Sequence, residues 1–140
     1  IKENFKPKTM FHDVTTRDPE EAAHVDIYVA GFPCQPFSVG GKKQGFDDAK
    51  NRGKVVFHLM EYIRLKQAKV FVLENVKGFV TLAKGEYVRT IVKALEAIRC
   101  QDKSGTTTGS YNVYHTTLNT KDHGVPQNRP RWFCVGILKT

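Results

Sequence analysis

A strand–helix–strand pattern constrains the fold of this chain more than any other feature of its sequence. Two short apolar runs, at 25–30 and 69–75, flank a helical pattern. In the second, "KVFVLEN", the apolar residues are nearly continuous rather than alternating, as in a strand buried on both faces. Between the runs, Val55, Val56, Leu59, Met60 and Ile63 recur at helical spacing over 54–66. A helix in that place is the right-handed crossover that sets two strands side by side and parallel. The chain is therefore predicted to be α/β, a mostly parallel sheet with flanking helices.

Further elements follow from the same patterns. A second amphipathic helix is predicted over 86–99, with Val88, Ile91, Leu95 and Ile98 on one stripe. Strands are predicted over 10–14, 111–118 and 132–138, and Asp18 is placed to cap a short helix that starts at Pro19. The polar segments 39–53 and 101–110 read as loops. The first is longer than ordinary connections, a length that marks function or disorder. "NTKDHGVPQNRP" reads as irregular, and neither an internal repeat nor a domain boundary is visible.

The chain has 140 residues, enough for one domain with a real core. Lys and Arg number 22 against 14 Asp and Glu, a net charge of +8 that favours a polyanionic partner such as nucleic acid. Three cysteines far apart, with no C-x-x-C pair, argue against a disulfide framework and against a structural metal site. No apolar run approaches a bilayer span, and "IKENFKPKTMFHD" lacks the apolar region of a signal peptide. An intracellular protein is expected, nuclear in a eukaryotic host. The first residue is Ile, and the last strand-like run nearly reaches the final residue, which reads as a segment of a longer protein.

In an open parallel sheet, ligands gather at the carboxyl ends of the strands. The first run leads into Gly31, Phe32, Pro33 and Cys34, the second into Glu74 and Asn75. If the two strands are neighbours, a thiol and a carboxylate converge. Two readings of Cys34 stand: a buried small hydrophobe, or a nucleophile held by Pro33 and Pro36 among the polar Gln35 and Ser38. Glu74 is either the solvent end of a strand or a carboxyl group partly withdrawn from water that acts as a proton donor. In "GVPQNRPRW", Pro126 and Pro130 exclude helix, so Gln127, Arg129 and Arg131 share one side of an extended backbone. They suit a phosphate or a base edge, or else form an exposed charged edge strand in which Pro130 needs no ladder bond.

Taken together, "GFPCQPFS", "ENV" and "QNRPR" resemble the cysteine-nucleophile, Glu-Asn-Val and Gln-x-Arg-x-Arg motifs of the cytosine-C5 DNA methyltransferases, in the same order. The likeness runs from Asp13 to Gly136. It implies a Rossmann-like S-adenosylmethionine-dependent methyltransferase fold, present in part, acting on double-stranded DNA with S-adenosyl-L-methionine. By this resemblance Cys34 adds to carbon 6 of a flipped cytosine, and Glu74 meets ring N3. Arg131 faces the base O2, and Arg129 supports the catalytic loop or Glu74. The Phe32 carbonyl accepts from the exocyclic amine, while Asn75 braces the loop after Pro33. Gln35 and Gln127 are further substrate contacts. Ser38, Lys42, Lys43 and Arg52 belong to a loop that closes over DNA, where they meet phosphates. Asp13 in "FHDVT" resembles the acidic position at the cofactor adenine, and Pro33 and Val55 match cofactor contacts.

There are departures from the family pattern. Its glycine-rich cofactor loop, Phe-x-Gly-x-Gly, and its target-recognition region are not found in the 140 residues. The chain therefore reads as a partial catalytic domain, weakly active or inactive alone. The segment around Lys50 and Asn51 reads as a small extension and "QDKSGTTTGS" as an insertion. Two other readings fit the same motifs: the tRNA-methylating branch of the family, and a catalytically silent DNA-binding relative. Ser38, where the tRNA branch tends to carry Thr, favours DNA. Retention of Cys34, Glu74 and Arg131 argues against silence.

Overall fold

The strand–helix–strand pattern folds as a parallel pair. Strand β1 (Ile27–Gly31) lies beside β2 (Val70–Val76), and helix α1 (Val55–Lys66) stands between them in sequence. The computed structural model describes residues 3–33 and 55–139. Cys34, Gln35, Ser38, Lys42, Lys43, Arg52 and the predicted loop over 39–53 lie outside the described residues. After β2 come α2 (Lys77–Thr81), a 3-10 turn (Leu82–Gly85), α3 (Glu86–Glu96), and strands β3 (Arg99–Gln101), β4 (Thr107–Asn119) and β5 (Pro130–Lys139).

Among the described residues the sheet order is β1-β2-β5-β4-β3, and of its pairs only β1–β2 is parallel. The expectation of a mostly parallel sheet is thus corrected to a mixed one. The reason is the connection: β4 reaches β5 through only a 3-10 turn (Thr120–His123) and a short irregular stretch. A parallel return needs a long crossover, whereas an antiparallel one needs only a turn. The same order corrects a second reading. The strand carrying "RPRW" is not an edge, because β5 runs between β2 and β4. Pro130 is its first residue, a position where a missing N–H is tolerated.

Strand alternation divides the sheet into two faces. Phe71, Leu73, Asn75, Trp132 and Cys134 are buried, and the apolar ones form one core with Val56, Leu59 and Ile63 of α1, Phe79 of α2, and Val88, Ile91 and Leu95 of α3. The rings of Phe79 and Trp132 stand 5.0 Å apart, and Phe32, just past β1, meets Phe79 edge-on at 5.4 Å. Gly136 is required at its position in β5. It pairs with Phe71, and a Cβ on it would fall 2.0 Å from the Phe71 ring. On the opposite face Ile27, Val29, Tyr114, Leu118 and Ile137 are exposed. The burial on both faces predicted for the second run is therefore not seen: Val70, Val72 and Glu74 of β2 are only part-buried on this face.

Other differences have local causes. The predicted strand over 10–14 is absent, because Asp13 accepts from both the N–H and the O–H of Thr15 and so closes a tight turn. Segment 101–110 is not a plain loop but the tip of a β3–β4 hairpin. Asp102 accepts from the N–H groups of Ser104 and Thr106, and Gly105 takes the left-handed φ of +84° that closes the turn. Helix α3 ends at Glu96 rather than at 99, because Arg99 joins the hairpin. Helix α2 has no clear signal in the sequence, being a single five-residue turn with one buried side chain, Phe79. Asp18 caps Pro19–Glu21 as expected, its side chain accepting from the Glu20 N–H.

Candidate active site

Glu74 and Arg131 meet at the carboxyl end of β2. Arg131 Nε lies 2.9 Å from Glu74 Oε1, with the side chains 21% and 33% exposed respectively. Register explains the contact. Arg131 pairs with Val76 and Phe133 with Glu74, so Arg131 is the diagonal neighbour of Glu74 on the open face. Gly31 of β1 pairs with Glu74 on the other side, and a Cβ there would lie 3.4 Å from Glu74 Oε2. Any longer side chain would lie over the carboxylate, so this glycine leaves it open toward the end of β1. The strand ends are therefore neighbours, as the crossover predicted. Phe32 and Pro33 follow directly, with the Phe32 ring in the core.

A cavity of about 320 Å³ opens beside the pair. Leu118, Val125 and Phe133 give it apolar walls, and Glu74, Arg129 and Arg131 give it charge. Its size is at the lower end of volumes that hold small ligands, and apolar walls with a few polar groups suit a flat heterocycle. Gln127 is not among its lining residues. The expected single side for Gln127, Arg129 and Arg131 fails because regular strand begins only at Pro130, while Gln127 N–H donates to the Val125 carbonyl in a turn. The guanidinium in ion-pair contact with Glu74 is that of Arg131. Asn119 and His123 also line the cavity, and no sequence motif singles out either as a site residue. Their signal is weak, since a lone Asn or His in an irregular stretch is ordinary.

Asn75 is 1% exposed and points into the helix-covered side. Its Oδ1 accepts from the Val76 N–H at 2.8 Å, while its Nδ2 has no hydrogen-bond partner among the described residues. A buried donor left unpaired costs about 1–3 kcal/mol, so such groups are normally satisfied. Asp13 is exposed at its turn, and the N–H and then the O–H of Thr15 hold its carboxyl below the ordinary value, as an anion at neutral pH. Val55 is half-buried at the first position of α1.

The described cysteines are excluded as nucleophiles. Cys134 is fully buried, and desolvation, reinforced by Glu96, pushes its thiol from 9.0 to about 12. Burial pushes the Cys100 thiol up too, against a hydrogen bond with Tyr111. The third cysteine of the chain is Cys34, next in sequence after Pro33.

The model of the C-5 cytosine-specific DNA methylase family matches residues 2–140. The chain belongs to that family. Within the family's terms, it is 41% identical over 134 residues to the Type II methyltransferase M.NgoBI of Neisseria gonorrhoeae, covering 96% of this chain and 38% of that protein. It is 42% identical over 137 residues to the Type II methyltransferase M.BanI of Aneurinibacillus aneurinilyticus, covering 96% of this chain and 28% of that protein. The chain thus spans well under half the length of these relatives. Among solved structures, the Entamoeba histolytica methyltransferase EhMeth superposes with a TM-score of 0.69 at 19% identity, over 99% of this chain and 40% of that one. A Spodoptera frugiperda DNMT2 variant superposes at 0.60 and 24% identity, over 90% of this chain and 34% of that one. These two likenesses show the fold, an α/β methyltransferase fold present in part. Membership in a methyltransferase family with this fold implies use of S-adenosylmethionine in general terms.

Proposed function

We propose that this chain is the chemical centre of a DNA (cytosine-5-)-methyltransferase that acts on a cytosine flipped out of double-stranded DNA. The observation that carries the reading is the Glu74–Arg131 pair at the carboxyl end of β2, level with Gly31 and directly beside the segment that leads into Cys34. Carbon 5 of cytosine is a poor nucleophile. Addition of the Cys34 thiolate to carbon 6 breaks the 5,6 double bond and leaves the electron pair at carbon 5 as an enamine. Glu74, hydrogen-bonded to N3, would hold the proton that neutralises charge in the ring, while Arg131 would face the developing charge at O2 and Arg129 would support the catalytic loop or Glu74. The Phe32 carbonyl would accept from the exocyclic amine. S-adenosyl-L-methionine supplies the methyl group that carbon 5 takes up. Loss of the carbon 5 proton and expulsion of the Cys34 thiolate then restore the ring and the enzyme.

The remaining assignments come from the family resemblance, and the chemistry of the residues is compatible with them. The anionic, exposed Asp13 suits the adenine amino group of the cofactor, and Pro33 and Val55 offer apolar contacts at the same end of the sheet's first crossover. The Nδ2 of Asn75, without a partner among the described residues, suits a carbonyl in the segment after Pro33, the bracing role expected of it. Gln35, Ser38, Arg52 and Gln127 are the proposed contacts to DNA, in keeping with the net charge of +8.

In 5-fluorocytosine the proton at carbon 5 is replaced by fluorine, which cannot leave as a proton does, so the covalent adduct persists. The protein expressed from its full reading frame should form a denaturation-resistant adduct with duplex DNA carrying 5-fluorocytosine, and Cys34→Ser should form none. An adduct with 5-fluorocytosine tRNA alone would move the assignment to the RNA branch. DNA binding by the wild type without any adduct would sink the enzymatic reading.

A further inference from the structure

We propose that Asn119 is a positioning residue for the arginine pair, an inference that rests on the function proposed above. Asn119 ends β4 and pairs with Pro130, the first residue of β5. By the register of β5 the nitrogen of Pro130 faces β2, so the next backbone N–H turned toward β4 is that of Arg129, one residue beyond the last paired position. The Asn119 side chain takes over where the backbone stops. Its Oδ1 accepts from the Arg129 N–H at 2.9 Å, and its Nδ2 donates to Asn128 Oδ1 at 2.8 Å. A backbone N–H can only donate, which fixes which end of the Asn119 amide is the oxygen. The next residue adds a third tie, with Thr120 Oγ1 donating to the Gln127 carbonyl. Three successive residues of the irregular connection, Gln127, Asn128 and Arg129, are thus held from the end of β4.

The consequence falls on the cavity. Arg129 lies one residue before the ladder and lines the cavity with Glu74 and Arg131. Without the Asn119 amide, the connection retains its local turns, Val125 N–H to the Thr120 carbonyl and Gln127 N–H to the Val125 carbonyl. Those turns shape the loop, but the tie from its last residues to β4 is weakened. Asn119 acts through Arg129, because both ends of its amide are engaged with the loop.

The test is the single-turnover rate of adduct formation with 5-fluorocytosine duplex at saturating DNA, measured with the full-reading-frame protein. Asn119→Leu, which removes both bonds, should slow adduct formation about 30-fold, the scale of a small misplacement at a reacting centre. Asn119→Asp keeps the acceptor for Arg129, and Asn128 can turn its amide to donate, so this variant should recover most of the rate. In an Arg129→Ala background, Asn119→Leu should add no further loss. Losses that multiply, or a wild-type rate in Asn119→Leu, overturn the inference. Amide exchange at Arg129 reads the tie without turnover: it should quicken in Asn119→Leu and not in Asn119→Asp, and an unchanged rate in Asn119→Leu also overturns it. A wild type that forms no adduct overturns instead the proposed function, and with it the positioning role of Asn119.

Discussion

The two faces of β2 and β5 share a backbone and do opposite work. On one, Phe71, Leu73, Trp132 and Cys134 are buried under three helices. On the other, one residue along, Glu74 and Arg131 stand part-exposed beside a cavity. Alternation with a period of two is what makes this possible, since neighbours in sequence point to opposite faces. A slip of one residue would exchange the sets, so the packed face also fixes the register of the reactive one.

The sharpest separation is expected from Glu74→Gln. It keeps the shape and removes the carboxylate, so adduct formation should fall by about 10³-fold, the scale of losing one preorganised electrostatic contact. The urea midpoint should barely move, because a part-exposed ion pair adds little to stability, about 1 kcal/mol or less. A large loss of stability in this variant would break the division between the faces.

Gly136→Ala should do the reverse. Its new Cβ would meet the buried Phe71 ring at 2.0 Å, and Phe71 is held by Tyr111, whose ring is 5.1 Å away. Overpacking of this kind should lower unfolding free energy by about 3 kcal/mol. Activity per folded molecule should remain close to that of the wild type, and an active-site defect in fully folded protein would contradict the comparison.

The smallest effect is one of pH. Cys134 ionises near 9.0 when unfolded and near 12 when folded, because burial disfavours its thiolate. The stabilisation from keeping it neutral is therefore whole below pH 9 and is lost as pH rises toward 12. The urea midpoint should fall from pH 9 upward, and toward pH 10 the phenols of Tyr28, Tyr62 and Tyr111, which burial raises above their ordinary value of 10.0, add to the same fall. Cys134→Ala should flatten that slope, with Cys100 and the tyrosines supplying the remainder; an identical slope would show that Cys134 does not titrate in this way.

Much of the fold was legible because it rests on local periodicity. The stripe of Val88, Ile91, Leu95 and Ile98 is buried as its spacing predicts, although Ile98 lies past the end of α3. Glu74 was legible as the first polar residue after a buried run. The hairpin at Asp102 was not, because its bonds depend on a partner strand several residues away. Neither was the central place of β5, because a run such as "RWFCVGIL" is equally apolar in either direction and between any neighbours.

By itself, then, the sequence determined which residues are chemically equipped: a cysteine between prolines, a glutamate at a strand end, and two arginines around Pro130. Tertiary structure decided which of them meet. The antiparallel insertion of β5 beside β2 sets Arg131 diagonal to Glu74, and the amide of Asn119 ties Arg129 to the end of β4. Register between distant strands is set by the packing of the whole sheet, and no local pattern encodes it.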